Sequence, residues 1–347
     1  MNTVGKRGLI GTFLFGAATL MCAGQAEASL TSFQTFVGTD GLSTGGCGSV
    51  TQACSFTSVV PTGSTVLGAY LYSSMFGQPG PAPGGTLNGQ AVNYSTALGV
   101  NAVAGLQAYR ADVTSIVAPI VAAAANPNLL FNVTETQSTQ DGEGLVIVYT
   151  NPTLPTQTVG ILDGFSASAG DNSSINFSDP LHPAAPGFVA DMRIGDGFSF
   201  DGSGCTLNQQ VSKITVNTQT LTNVAGCNDD STDASPANGN LFTIGGDQDP
   251  FTPIVAGGET VTALDHERYN LSSFITDGDT SISLTTLNPS RDDNIFLETF
   301  LVSGIAGINA PPPPPPGVPE PGSLLLIGSG LIGLSVMRRR KAEGRSL

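Results

Sequence analysis

The 347-residue sequence has no tryptophan, only six tyrosines and only two histidines. Carbohydrate sites usually stack sugar rings on broad aromatic faces, so the usual flat platform is disfavoured. His182 and His266 alone give little material for acid–base chemistry. No nucleophile elbow and no H-E-x-x-H zinc signature is read, and no carboxylate pair stands out for glycoside hydrolysis. The chain therefore reads as a protein that is not an enzyme. Basic residues are scarce as well: residues 29–310 hold 24 Asp and Glu against five Lys and Arg, a net of −19 before histidine. Seven of the twelve basic residues lie in the two ends, which is why the whole chain shows only −15. Such a surface repels phosphate backbones, which excludes nucleic acid as a partner, and it favours divalent cations and cationic partners. Helical periodicity is nearly absent, yet an apolar content of 40 % is too high for a disordered chain.

What is present is most specific at the ends. Lys6 and Arg7 precede an apolar run at 9–22, and Ala26-Glu27-Ala28 offers a small-residue cleavage site before Ser29. This is the pattern of a Sec signal peptide over residues 1–28, and it implies the Sec translocase and signal peptidase as partners. Cys22 lies inside the leader, where Leu20-Met21-Cys22-Ala23 fits a lipobox poorly. At the other end six consecutive prolines, 311–316, fix φ near −65° and remove six backbone donors, making a stiff linker over 311–317. At about 3.1 Å per residue the rod spans roughly 19 Å. Residues 322–337 are uncharged and rich in Leu, Ile, Gly and Ser; as a helix they reach about 24 Å, short of the ~30 Å hydrocarbon core. Local thinning and snorkelling of Arg338, Arg339, Arg340 and Lys341 allow such a span, and these cations place the body outside the cytoplasm.

Val318-Pro319-Glu320-Pro321, the Gly-rich apolar stretch and the Arg cluster, in this order at the C-terminus, resemble the PEP-CTERM sorting signal (318–341) of Gram-negative, matrix-producing bacteria. The resemblance implies recognition by an exosortase, a membrane cysteine transpeptidase, and a final site at the cell surface or outside the cell. Export across the inner membrane would be followed by transient or lasting anchoring through the tail.

Between the ends, residues 29–310 suffice for one large β domain. Cys47, Cys54, Cys205 and Cys227 form an even set in an exported chain, which argues for disulfides. Three connectivities are open, and the local one, Cys47–Cys54 with Cys205–Cys227, is favoured because each pair closes a loop between strand-like segments. Strands are expected at 65–73, 129–134, 144–150, 158–163, 188–194, 211–217, 281–287 and 294–302, with a hairpin turn at Asn88-Gly89. A short helix at 113–125 is expected to start near Asp112 and to break at Pro119. The sum is an all-β protein: an antiparallel β-sandwich followed by a Pro-rich stalk and a single C-terminal transmembrane helix. The loop-rich region 226–253 could divide two lobes, though the closing strands are expected to return to the same sandwich. Residues 66–72, Tyr109-Arg110-Ala111-Asp112-Val113-Thr114, 144–152 and Leu162-Asp163-Gly164 also resemble the jelly-roll modules of bacterial surface proteins. In those modules the R-x-D-V-T turn precedes a strand. These are display or adhesion domains, so the resemblance implies fold more than ligand.

Acidic loops are the remaining candidate sites. Asn228, Asp229, Asp230 and Asp233, with Asp247 and Asp249 further on, could supply the oxygen ligands of a structural calcium ion. No cofactor is otherwise required, and no EF-hand loop occurs. Asp265 to Arg268 reads as an exposed, ion-paired turn. The function read from the sequence is that of an exported structural or display protein of the cell surface or biofilm matrix. The alternative is a calcium-stabilised module that binds exopolysaccharide or other surface proteins.

Overall fold

Runs such as Val66 to Tyr72 and Leu145 to Tyr149 are largely apolar at successive positions rather than at alternate ones. Side chains of a strand alternate between its two faces, so such runs must be buried on both. The computed structural model describes residues 29–48, 51–77, 81–101, 105–167, 170–197, 211–226, 242–251, 267–289 and 294–309. The expected signal peptide, proline linker and sorting signal lie outside the described residues. So do Cys205, Cys227, Asn228, Asp229, Asp230, Asp233 and His266.

The described residues form four antiparallel sheets. An outer sheet I has the order β3 (Ala53–Val59), β9 (Asn128–Glu135), β5 (Gly85–Leu87), β6 (Gln90–Val92). Inner sheet II follows as β2 (Asp40–Gly48), β10 (Gln140–Thr150), β4 (Thr65–Met75), β8 (Leu106–Asp112), β7 (Thr96–Asn101). Inner sheet III has β1 (Thr31–Gly38), β11 (Gln157–Asp163), β19 (Asn294–Ser303), β13 (Ala190–Gly197), β16 (Phe242–Ile244), with β17 (Arg268–Asn270) also paired to β13. Outer sheet IV has β15 (Gln219–Ala225), β14 (Ser212–Val216), β18 (Ser281–Leu287), β12 (Asn172–Phe177), β20 (Ala306–Ile308).

Three apolar cores separate the four layers. Leu71, Leu145 and Ile147 of sheet II meet Phe56, Phe131 and Val133 of sheet I. The opposite face of the same strands sends Tyr72, Val146 and Val148 against Val159, Ile161 and Phe296 of sheet III. Sheet III in turn packs Met192, Ile194 and Phe300 on Ile175, Ile214 and Ile282 of sheet IV. The body is thus all-β and antiparallel as expected, but four layers deep. The two central sheets are covered on both faces, which is what their uninterrupted apolar runs require.

Strands β2 to β10 build sheets I and II, and β11 to β20 build III and IV. The exception is β1, which pairs with β11 and so belongs to the second pair of layers. The link between the two pairs is short, residues 151–156. Asn151 fixes it by donating to Ser64 Oγ at 3.0 Å while accepting from Thr153 N at 3.0 Å. The expected divider at 226–253 is not the seam, because β16 within it returns to sheet III.

Each of the eight expected strands is present, and 281–287 agrees to the residue. Asn88 and Gly89 join β5 to β6 with φ of 47° and 77°, the positive pair that a type I′ hairpin turn needs. Two expectations change. Helix α1 (Thr114–Ala123) runs through Pro119 instead of breaking there. Burial of Ile116, Val117 and Val121 in the core between sheets I and II outweighs the lost backbone bond. Accordingly Arg110 to Asp112 closes strand β8, and Val113-Thr114 opens a helix rather than leading into a strand; Asp112 Oδ1 accepts from Thr114 N at 2.9 Å.

Candidate binding cleft and buried ion clamp

An open cleft of about 320 Å³ lies where the edge of sheet II meets the edge of sheet III. Its wall combines Phe33 of β1, Thr96 of β7, Arg110 of β8 and Asp163 of β11. Arg110 lies on the sheet III side of β8, next in chain to the core residues Tyr109 and Ala111. Its guanidinium stacks 3.4 Å from the Phe33 ring centroid and donates to Asp163 Oδ2. Phe33 in turn meets Tyr70 edge-on at 4.9 Å. Tyr72 donates its hydroxyl to the same Asp163 oxygen at 3.1 Å. Burial pushes the Asp163 pKa up, and Arg110 pulls it back only in part. Tyr72 is raised well above its usual value, first by burial and then by the Asp163 charge. With the hydroxyls of Thr31 and Ser32 at the rim, the cleft offers donors and acceptors to a polyhydroxylated ligand. Its described lining holds no histidine, cysteine or lysine.

Deeper between sheets, Arg193 of β13 organises an ion clamp. Its Nη2 donates to Asp191 at 2.9 Å and its Nη1 to Asp247 at 2.6 Å and Thr44 Oγ1 at 2.7 Å. Arg268 joins Asp191 from β17 at 2.9 Å. Asp247 Oδ2 also accepts from Val59 N of β3 at 2.6 Å, so the clamp reaches sheets I, II and III. Burial opposes the charge on Arg193, yet Asp191 and Asp247 together raise its pKa.

The residues singled out in the sequence fall as follows. Cys47 and Cys54 form a disulfide joining β2 to β3. Asp247 is taken up by the Arg193 clamp, and Asp249 accepts from Gly246 N at 2.5 Å. Among the described residues no group of three His, Cys, Asp or Glu is placed to hold a metal ion. His182 pairs with Asp277 at 2.8 Å on the exposed surface, with no nucleophile beside it. All six tyrosines are buried, so none offers a stacking face. Of the expected exposed, ion-paired turn at 265–268, the described part corrects the exposure: Glu267 is fully buried, accepting from Gly226 N at 2.6 Å, while Arg268 is ion-paired, but with Asp191. Gly41-Leu42-Ser43-Thr44-Gly45 carries a G-x-S-x-G spelling. It lies within strand β2, not on a strand-to-helix turn, and Ser43 is fully buried with its hydroxyl on Asp247. No elbow results. The Arg110–Phe33–Asp163 cleft was not foreseen either; only the R-x-D pattern of β8 hinted at it.

Comparison with known proteins bears on the C-terminal segment more than on the body. No curated protein matches the chain. Among solved structures, the plant receptor-like kinase ANX2 is 10 % identical, with a TM-score of 0.23 over 74 % of this chain and 86 % of that one. The ANXUR2 extracellular domain from Arabidopsis thaliana is 11 % identical, with a TM-score of 0.23 over 82 % and 93 %. At that score neither likeness carries an argument. Among the described residues no helix is long and apolar enough to cross a membrane, and the candidate span 322–337 lies outside them. Residues 317–341 match the PEP-CTERM protein-sorting motif. The chain thus carries a PEP-CTERM protein-sorting motif at 317–341, behind an all-β body.

Proposed function

We propose that the protein is exported through its leader, processed at its C-terminal signal by an exosortase, and retained as a structural or display component of the cell surface or extracellular matrix. The sorting motif at 317–341 carries this reading. The body supports it with an acidic composition and central sheets that are buried on both faces. Deleting the gene is expected to alter aggregation or matrix without removing a glycan-degrading activity. A deletion strain with normal matrix, together with glycan turnover by the purified protein, would contradict the proposal.

A second reading is a polysaccharide-binding or adhesion module, favoured by the polar cleft at Arg110 and Asp163. It predicts retention on exopolysaccharide that is lost in Arg110→Ala. A structural calcium ion in the acidic loop at Asn228, Asp229, Asp230 and Asp233 belongs to the same reading. Its test is melting with calcium and with chelator, where an upward shift abolished by Asp230→Asn supports an ion in that loop.

A further inference from the structure

One cluster of charge plays no part in the cleft or the clamp. Where the hairpin from β9 to β10 passes from sheet I to sheet II, Glu135, Asp141 and Glu143 are 9 %, 5 % and 1 % exposed. Glu143 Oε1 accepts from three donors: Gln140 Nε2 at 3.0 Å, Ser73 Oγ at 3.4 Å and Tyr94 OH at 3.5 Å. Glu143 Oε2, Asp141 Oδ2 and both carboxyl oxygens of Glu135 receive none of these. Yet Glu135 and Glu143 face each other closely enough for a side-chain hydrogen bond. Two carboxylates are acceptors only, so that contact requires a proton on one of them. Among the described residues no Arg, Lys or His acts on any of the three groups, and the polar neighbours of Glu143 are Ser73 from β4, Tyr94 ahead of β7, and Gln140.

The site sits at a mechanical junction. The Gln140 side chain closes the hairpin by accepting from Gly84 N, Thr136 N and Gln137 N at 3.1 to 3.3 Å. The disulfide is beside it: Cys47 stands opposite Glu143 in register, and Cys54 stands opposite Val133. One covalent link and one carboxyl pair therefore join sheets I and II at the same end.

We propose that Glu135 and Glu143 share a proton and form a latch that holds this end of sheets I and II together and releases it as the surroundings become alkaline. Burial supports this by moving Glu135 up to about 7, while burial and the Glu135 charge move Asp141 up to about 8. Glu143 is raised well above the usual carboxyl range, first by burial and then by Glu135. Loss of the proton places like charges in contact, with no cation among the described residues to compensate. The disulfide limits how far the end can open, so reduction should deepen the response.

The test is hydrogen exchange of the exported, oxidised chain at about pH 6 and pH 8.5, corrected for intrinsic rates. Amides of 135–143 should lose protection about tenfold over this range, consistent with one pKa unit per tenfold change, and further on reduction. Glu143→Gln keeps a neutral group in the place of the protonated acid and should remain protected at both values. Glu135→Gln provides the same reading if the first variant folds poorly. Protection in the unmodified chain that does not change with pH, or a loss that persists in both variants, overturns the proposal. If calcium restores protection at pH 8.5 in the unmodified chain but not in Glu143→Gln, the cluster holds a cation and the proton latch is likewise overturned.

Discussion

Replacing Arg193 by alanine would leave Asp191 and Asp247 buried without their principal cation. Breaking a buried ion pair from one side is strongly destabilising, so Arg193→Ala should lower unfolding stability by about 3–5 kcal/mol in a denaturant titration. Glu298 makes a quieter prediction. It is 1 % exposed on β19, and burial pushes its pKa up to about 7 against a single hydrogen bond from Ser173. A carboxyl raised in the folded state adds stability that is fully present below its unfolded value near 4.5 and is lost as pH rises through 7. Glu135 and Asp141 act in the same direction. Melting temperature should therefore fall between about pH 5 and pH 8, and Glu298→Gln should flatten part of the fall while leaving the acid side unchanged. A melting temperature that climbs across this range would exclude that assignment.

Single elements show where local sequence was enough and where it was not. The turn at Asn88-Gly89 is written in two residues, and Gly89→Ala should cost about 1 kcal/mol because its φ of 77° strains an L side chain. The Cys47–Cys54 bridge was legible from spacing and compartment, and its loss in Cys47→Ser should cost about 2.5 kcal/mol by loop entropy. Strands β1 and β2 were not legible. Thr31 to Gly38 holds Phe33, Phe36 and Val37, which favour a strand, but its alternation is short and its ladder to β11 shifts register between Ser32 and Gln34. Asp40 to Gly48 is rich in Gly and carries little intrinsic preference, and it is a strand because β10 offers it a full ladder. Pro119 failed as a helix breaker for the same reason, since packing on the neighbouring sheets decides what propensity leaves open. Asp247 illustrates the limit for sites. An Asp in an acidic loop looks like a cation ligand, and only the fold brings Arg193 to it from 54 residues away.

At the scale of the whole molecule, the apolar runs of β4 and β10 already stated that both of their faces are buried. What they could not state is which sheet covers each face, because a second sandwich must be folded from residues beyond 156 to supply it. The cleft at Arg110 and Asp163 lies on that seam and so was invisible to any reading of one segment. The acidic surface and the sorting motif, by contrast, needed no fold at all to be read. The account depends most on the tail being recognised and removed. The decisive measurement is the intact mass of the protein recovered outside cells that supply an exosortase, compared with the same strain lacking it. The account predicts a mature chain without its leader and without the C-terminal apolar segment, and an unprocessed tail held at the membrane when the exosortase is absent. A tail of full length in both strains would contradict it.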